Sequence, residues 1–189
     1  MPKEALLFSE NVNNMDETSV PNGAVISWRS LTRGDIRSLA KIADMVHPDL
    51  PEADEVFSER VRLFPDGCFG LVVGPEDEIF GYAISHPIKY RQPPALDYLL
   101  GELASDADQY YIHDLAILPQ LRGRGLAQEC ITKLLAIGKR YRTTCLISVH
   151  GTKQFWGHFG FERVEIDEAL KEKLLQYGED AVYLEVENR

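Results

Sequence analysis

The chain reads as one α/β (α+β) domain, a mixed sheet interleaved with helices, and three observations predict this class. Strand-like and helix-like patterns alternate along most of its length. Two β-rich runs flank a short turn-forming segment, as the arms of an antiparallel hairpin do. One strand runs through a proline into a loop of glycines and arginines that opens an amphipathic helix. At 189 residues, 44% apolar and with no apolar run long enough to cross a bilayer, the composition suits one domain with an adequate core.

Residues 1–21 are polar and Asn-rich, without the basic start and continuous apolar stretch of a signal peptide; they read as a flexible leader before a single domain over 22–189. Ala24 to Arg29 alternates as a strand. Thr32 to Val46 places Ile36, Leu39, Ala40, Ala43 and Val46 at helical spacing behind a threonine cap. Pro48 and Pro51 break that helix, and Glu52 to Leu63 follows as a more charged one. Gly67 to Val73 and Ile79 to Ser85 form the hairpin across Gly74-Pro75-Glu76-Asp77-Glu78, with the second strand extendable to Lys89. Arg91 to Gln109 is a long Pro-containing insertion. Its Leu96, Tyr98, Leu99 and Leu100 offer apolar surface for docking, and it reads as an ordered lid. Tyr110 to Leu118 is the central strand. The helix after it buries Leu126, Cys130, Leu134 and Tyr141, with Ala127, Ile131 and Leu135 beside them. Thr144 to Val149 is a buried strand, Thr152 to Phe159 a short helix, Glu168 to Gln176 a further helix closed by Tyr177-Gly178, and Val182 to Val186 a last strand.

The chemistry concentrates in Tyr110 to Ala127, YYIHDLAILPQLRGRGLA. Gly123 and Gly125 can adopt positive φ and bring backbone N–H groups close to a ligand, while the helix beginning near Gly123 directs its partial positive charge the same way. Arg122 and Arg124 add charge-assisted donors suited to phosphate. A lone Gly-x-Gly also serves ordinary strand-to-helix loops, but the Leu-Ala-Ile-Leu-Pro strand end and the amphipathic helix narrow the choice. A Walker loop is unsupported because no Gly-Lys-Ser/Thr follows, and a dinucleotide fingerprint because Gln128 stands where its third glycine or alanine belongs.

Gln120-Leu121-Arg122-Gly123-Arg124-Gly125 resembles motif A of the GNAT superfamily of acyl-CoA-dependent N-acetyltransferases: Gln or Arg, two residues, Gly, one residue, Gly or Ala. A second resemblance lies in Phe155-Trp156-Gly157-His158-Phe159-Gly160-Phe161, which matches the family's short helix ending in an aromatic residue, three spacers and Gly-Phe. The resemblance implies a GNAT fold: a mixed, mostly antiparallel sheet of six or seven strands with helices on both faces, whose central strands splay to admit acetyl-CoA as co-substrate. Unpaired backbone groups in such a splay can be satisfied by the amide-bearing pantetheine arm acting as a pseudo-strand. By that resemblance Leu115, Ala116 and Ile117 contact the arm, Gln120 and Arg122 to Ala127 (Arg122, Gly123, Arg124, Gly125, Leu126, Ala127) hold the pyrophosphate, and Phe155 and Trp156 flank the acyl and thiol end.

Such a transferase must move protons. A primary amine of pKa roughly 10 is neutral in only about one part in 10³ at pH 7, so a base addresses on the order of 4 kcal/mol, whereas a departing thiolate needs less help. His113 is the base candidate, mid-strand near the expected splay, and the alternative is a satisfied structural histidine. Its place two residues before Leu115-Ala116-Ile117 resembles the arylalkylamine N-acetyltransferase subgroup, which carries a second histidine where this chain has Tyr111. Tyr111 shares a strand face with His113 and can serve a proton relay. Asp114 points to the opposite face of a regular strand; a bulge would redirect it as an ammonium anchor or reserve base, and otherwise it is a structural carboxylate. His150 and His158 read as structural or solvent-facing. Trp156 stands where many family members have a tyrosine proposed to protonate the thiolate, and an indole N–H is no practical acid.

The formal net charge of −10 disfavours nucleic acid and anionic membranes as partners and accommodates a cationic substrate. Cys68, Cys130 and Cys145, odd in number and in apolar surroundings, read as buried reduced thiols and not metal ligands, which with the leader's composition implies a cytoplasmic protein. The expected activity is acetyl transfer to a primary amine of a small molecule by direct attack in a ternary complex. A non-catalytic acyl-CoA-binding module and a protein or peptide N-acetyltransferase are the alternatives. No motif encodes oligomeric state, and a homodimer is admitted.

Overall fold

The computed structural model describes residues 23–75 and 78–188; the leader read over residues 1–21 lies outside them. Twelve elements follow in chain order: β1 (Ile26–Ser30), α1 (Ile36–Val46), α2 (Asp54–Leu63), β2 (Phe69–Val73), β3 (Glu78–Ile88), β4 (Gln109–Ile117), α3 (Leu126–Gly138), β5 (Thr143–Ser148), α4 (Lys153–Gly157), β6 (Glu162–Arg163), α5 (Glu168–Leu174) and β7 (Val182–Glu187). The strands make one seven-stranded sheet in the order β1-β2-β3-β4-β5-β7-β6. Every neighbouring pair is antiparallel except β4 and β5.

The alternation of side chains across a strand divides the core in two. On one face, Leu39 and Ile42 of α1 and Phe57 and Val61 of α2 pack against Tyr82, Ile84 and Ala116. On the other, Cys130, Ile131 and Leu134 of α3 pack against Tyr110, Ile112 and Leu146. Each large apolar side chain buried this way contributes about 1.5–3 kcal/mol, so the two layers hold the sheet from both sides. The expected mostly antiparallel sheet with helices on both faces is what the chain forms.

Two departures from regularity in β4 shape the molecule. Ile84 pairs with Asp114 and Ser85 with Ile112, leaving His113 as the extra residue of a bulge. A bulge adds local twist and reverses the side-chain alternation beyond it. Tyr110 and Ile112 therefore lie in the α3 core, while Asp114 and Ala116 turn to the α1–α2 side, where the Tyr82 hydroxyl donates to Asp114. The second departure is the pairing with β5, which runs from Gln109–Thr143 to Ile112–Leu146 and stops there. Beyond it β4 continues along β3 and β5 along β7, so the two central strands part, as the splay required.

The helix expected near Gly123 starts at Leu126, because Pro119–Leu121 forms a 3-10 turn and Gly123 and Gly125 take φ of 73° and 78° before helical geometry begins. The insertion before β4 is ordered, but partly by a means the sequence did not indicate. Of its apolar residues Pro93 and Pro94 are buried and Leu96 and Leu100 half-buried, while Tyr98 and Leu99 are 58% and 51% exposed, so apolar docking holds it only in part. The buried Glu59 carboxylate also accepts from the Leu100 and Gly101 N–H groups at 2.7 and 2.8 Å, and the fully buried Arg60 donates to the Tyr98 carbonyl at 2.6 Å and to Glu59 at 2.5 Å. A guanidinium and a carboxylate can be buried here because each satisfies the other and the loop backbone together.

Candidate active site

A cavity of about 910 Å³ occupies the opening between β4 and β5 and extends to the α1–α2 connection. One end is the turn before α3. Arg122 Nε donates to the Ile117 carbonyl at 2.8 Å, drawing the turn against the end of β4. Gly123 and Gly125 sit in the left-handed region, and an added Cβ at either would meet nothing within 4 Å. Their requirement for glycine is thus conformational, with open space on the outside of the turn into which an anion can come close to backbone N–H groups. Gly125 caps α3, whose first-turn N–H groups have no intrahelical acceptors. Arg122, Gly123, Gly125, Leu126 and Ala127 line the cavity, as do Leu115, Ala116 and Ile117 of β4. Gln120 and Arg124 are exposed and stand outside its lining.

The other end is polar and is assembled by the bulge. His113 Nε2 lies 2.8 Å from Glu52 Oε2, their side chains only 3% and 7% exposed. Glu52 Oε1 also accepts from the Asp97 N–H of the lid at 3.2 Å, while Asp97 accepts from the Ala53 N–H at 2.7 Å. Lid, helix connection and strand are thereby fastened together at the base candidate. With a carboxylate on Nε2, the favoured neutral imidazole carries its proton there and keeps a lone pair on Nδ1, which is buried without a partner among the described residues. Burial works against ionisation of Glu52, but the charge that His113 carries when protonated and its hydrogen bond prevail and hold it below the ordinary carboxylate range.

Asp114, the next residue, makes the mirror-image pair: its carboxylate is on the strand and its histidine on the helix connection. His47 Nε2 is 3.2 Å from Asp114 Oδ1, and the Tyr82 hydroxyl donates to Oδ2. Burial raises the Asp114 pKa, yet the bonds from His47 and Tyr82 bring it below its usual value. Burial likewise opposes protonation of His47, and Asp114 outweighs it, so His47 titrates above an ordinary histidine. His47 also stacks on His150, with centroids 5.4 Å apart and planes at 11°.

The remaining candidates divide. Phe155 and Trp156 of α4 line the cavity; Phe155 is 39% exposed and Trp156 is 8% exposed against Phe161. Tyr111 shares the side of His113, their rings 5.8 Å apart, but is fully buried among Cys145, Leu170 and Tyr183 and does not line the cavity. His86 is buried behind it, its ring 5.9 Å from His113, and burial pushes its pKa well below the ordinary value. Sequence reasoning missed Glu52 and His47 and discounted His150. Their only signal is a proline-bounded stretch, His47 to Glu52, whose proximity to β4 exists only after folding. Cys68, Cys130 and Cys145 are free and buried, and among the described residues no His/Cys/Asp/Glu group is arranged to hold a metal. Among the same residues no helix is long and apolar enough to cross a membrane.

The comparisons bear on this architecture. A search of curated protein sequences finds no match. Among solved structures, the loading GNATL domain of CurA from Lyngbya majuscula superposes with a TM-score of 0.70 at 14% identity, over 86% of this chain and 98% of that one. GphF GNAT-like decarboxylase in complex with isobutyryl-CoA gives 0.67 at 14%, over 86% and 100%. The NatC complex bound to Gag peptide and CoA gives 0.64 at 16%, over 86% and 98%. At these identities the likeness is one of fold. The model of the acetyltransferase (GNAT) family matches residues 35–161, a span running from the start of α1 through both motifs to Phe161. With its parted central strands and two-glycine turn, the chain belongs to the GNAT acetyltransferase family.

Proposed function

We propose that the protein transfers an acetyl group from acetyl-CoA to a primary amine of a small molecule, by direct attack in a ternary complex. The observation that carries this reading is one continuous opening with an anion-accepting turn at one end and the His113–Glu52 pair at the other. The diphosphate binds at Arg122 to Ala127, and the pantetheine arm runs along β4 where β5 has left it, taking up backbone groups of Leu115 to Ile117. The thioester then lies between the parted strands. His113 removes the proton that the amine must lose, and strand N–H groups polarise the carbonyl. No covalent enzyme intermediate is needed: burial pushes all three thiols up, Cys68 to about 12. The buried free thiols also fit a reducing compartment, consistent with a cytoplasmic enzyme.

The lid favours a small acceptor over a peptide, since Leu96 forms part of the cavity wall and the loop behind it is pinned by Glu59, Arg60 and Asp97. The test is thiol release from acetyl-CoA across a broad amine panel, with calorimetric coenzyme A binding in parallel. We expect amine-dependent release, and His113→Gln is expected to reduce turnover about 10²–10⁴-fold with coenzyme binding retained. Binding without release for any amine would refute transfer and favour a non-catalytic module, and release with peptides alone would refute the small acceptor.

A further inference from the structure

Transfer requires a proton for the departing sulfur as well as a base for the amine, and the α4 position associated with that role holds Trp156. We propose that His47, held by Asp114, is the proton donor to the coenzyme A sulfur, a second catalytic histidine distinct from the His113–Glu52 base; this rests on the acetyl-transfer reading above.

The geometry places His47 at the seam. It ends α1, lines the cavity, and meets Asp114 two residues past the point where β4 leaves β5. From the far side His150, just beyond the end of β5, stacks on its ring. The imidazole therefore stands between residues of both parted strands, where a thioester laid along the opening has to pass. His47 Nδ1 and Nε2 are both buried without a hydrogen-bond partner among the described residues, Nε2 facing Asp114 Oδ1 at 3.2 Å as an ion pair. With Nε2 turned to the carboxylate, Nδ1–H is the donor the imidazolium can offer a ligand.

The groups around it favour that proton on balance. Burial and Arg122 oppose the imidazolium; the hydrogen bond and charge of Asp114, with Glu52 beyond it, favour it and prevail. Tyr82 and His113 act on it through Asp114, and His150 is the stacked neighbour. Trp156, by contrast, packs on Phe161, and its indole N–H is no practical acid.

The proton count closes. The ammonium loses one proton through His113 to solvent, and the neutral amine forms the C–N bond. The proton shed by the attacking nitrogen passes to His113. The C–S bond breaks with its electron pair on sulfur, and the His47 Nδ1 proton goes to that sulfur as coenzyme A leaves as a thiol. His113 then returns its proton to solvent and His47 regains one, for a net release of one proton. Because a thiolate is a good leaving group near neutrality, the donor is worth less than the base, about tenfold in kcat.

The test reads the sulfur directly. Coenzyme A bound to saturating protein is titrated while thiolate absorbance is followed in the ultraviolet. An imidazolium within about 4–6 Å lowers the bound thiol pKa by about 1 unit from about 8.5 while sulfur remains the stronger base, and His47→Gln should return it to the free value while kcat falls about tenfold. Asp114→Asn, a milder change that keeps the imidazole, should move the thiol in the same direction by less. A bound thiol that titrates as free coenzyme A does in the wild-type protein, or one that stays depressed in both folded variants, overturns the proposal and leaves the transferase reading standing. Failure of the wild-type protein to bind coenzyme A overturns both.

Discussion

Replacing Glu52 by Gln isolates the contribution of one buried carboxylate to the proposed base, His113. The amide is isosteric, and its carbonyl oxygen can still accept from the Asp97 N–H, so the lid anchorage is retained. What changes is the 2.8 Å contact with His113 Nε2. A carboxylate accepts from Nε2–H and leaves the Nδ1 lone pair available. An amide can instead present its NH₂ to Nε2, which moves the imidazole proton to Nδ1 and closes the lone pair that takes the amine proton. The bond is charge-assisted and nearly dry, with 3% and 7% side-chain exposure, so it belongs to the class worth about 1.5–3 kcal/mol. If that energy is expressed when His113 becomes charged in the transition state, kcat falls roughly 10- to 150-fold, at about 1.4 kcal/mol per factor of ten. Steady-state thiol release with a responsive amine from the panel measures kcat, and calorimetry should give an unchanged coenzyme Kd, because the turn proposed to hold the phosphates is a different element. A folded E52Q enzyme with kcat within a factor of two of wild type would refute the reasoning and leave Glu52 as a lid anchor alone.

Two further predictions concern the frame. Gly125→Ala forces a Cβ into a φ of 78° with no crowding to relieve, so it should cost about 1–2 kcal/mol, seen as a lower Tm and an approximately tenfold weaker coenzyme Kd; an unchanged Kd would detach the turn from phosphate binding. Asp35 is bonded by Arg29 at 2.8 and 3.0 Å and by the Thr32 N–H at 2.7 Å, which together bring its pKa to about 2 against opposition from burial. A depressed folded-state pKa stabilises above the unfolded value near 3.9 and loses that contribution as pH falls toward 2. After allowance for solvent screening it is worth about 1 kcal/mol, so Asp35→Asn should lower stability at pH 7 by that much and converge with wild type near pH 2 in denaturant titrations. Equal differences at both pH values would contradict the assignment.

The local grammar of this chain determined a good deal by itself. Hydrophobic period, prolines and glycines mark nearly every element within a few residues, because those signals act through the backbone and near neighbours. The two-glycine turn was legible for the same reason: Gly123 and Gly125 need positive φ wherever the rest of the chain lies. His113 was legible by its place in the strand. Tertiary structure alone decided the rest. The bulge that brings His113 and Asp114 to one side depends on β3 pairing two residues against three, and no residue in β4 announces it. Glu52 and His47 lie sixty-odd residues before their partners and meet them because α1 and α2 pack on the face that β4 turns toward them. Burial of Glu59 and Arg60 ran against their composition and followed from a loop that needed donors and an acceptor at that spot. Sequence patterns report which groups a segment must bury or bend, whereas the pairing of charges across the site is fixed only when distant segments exclude water together.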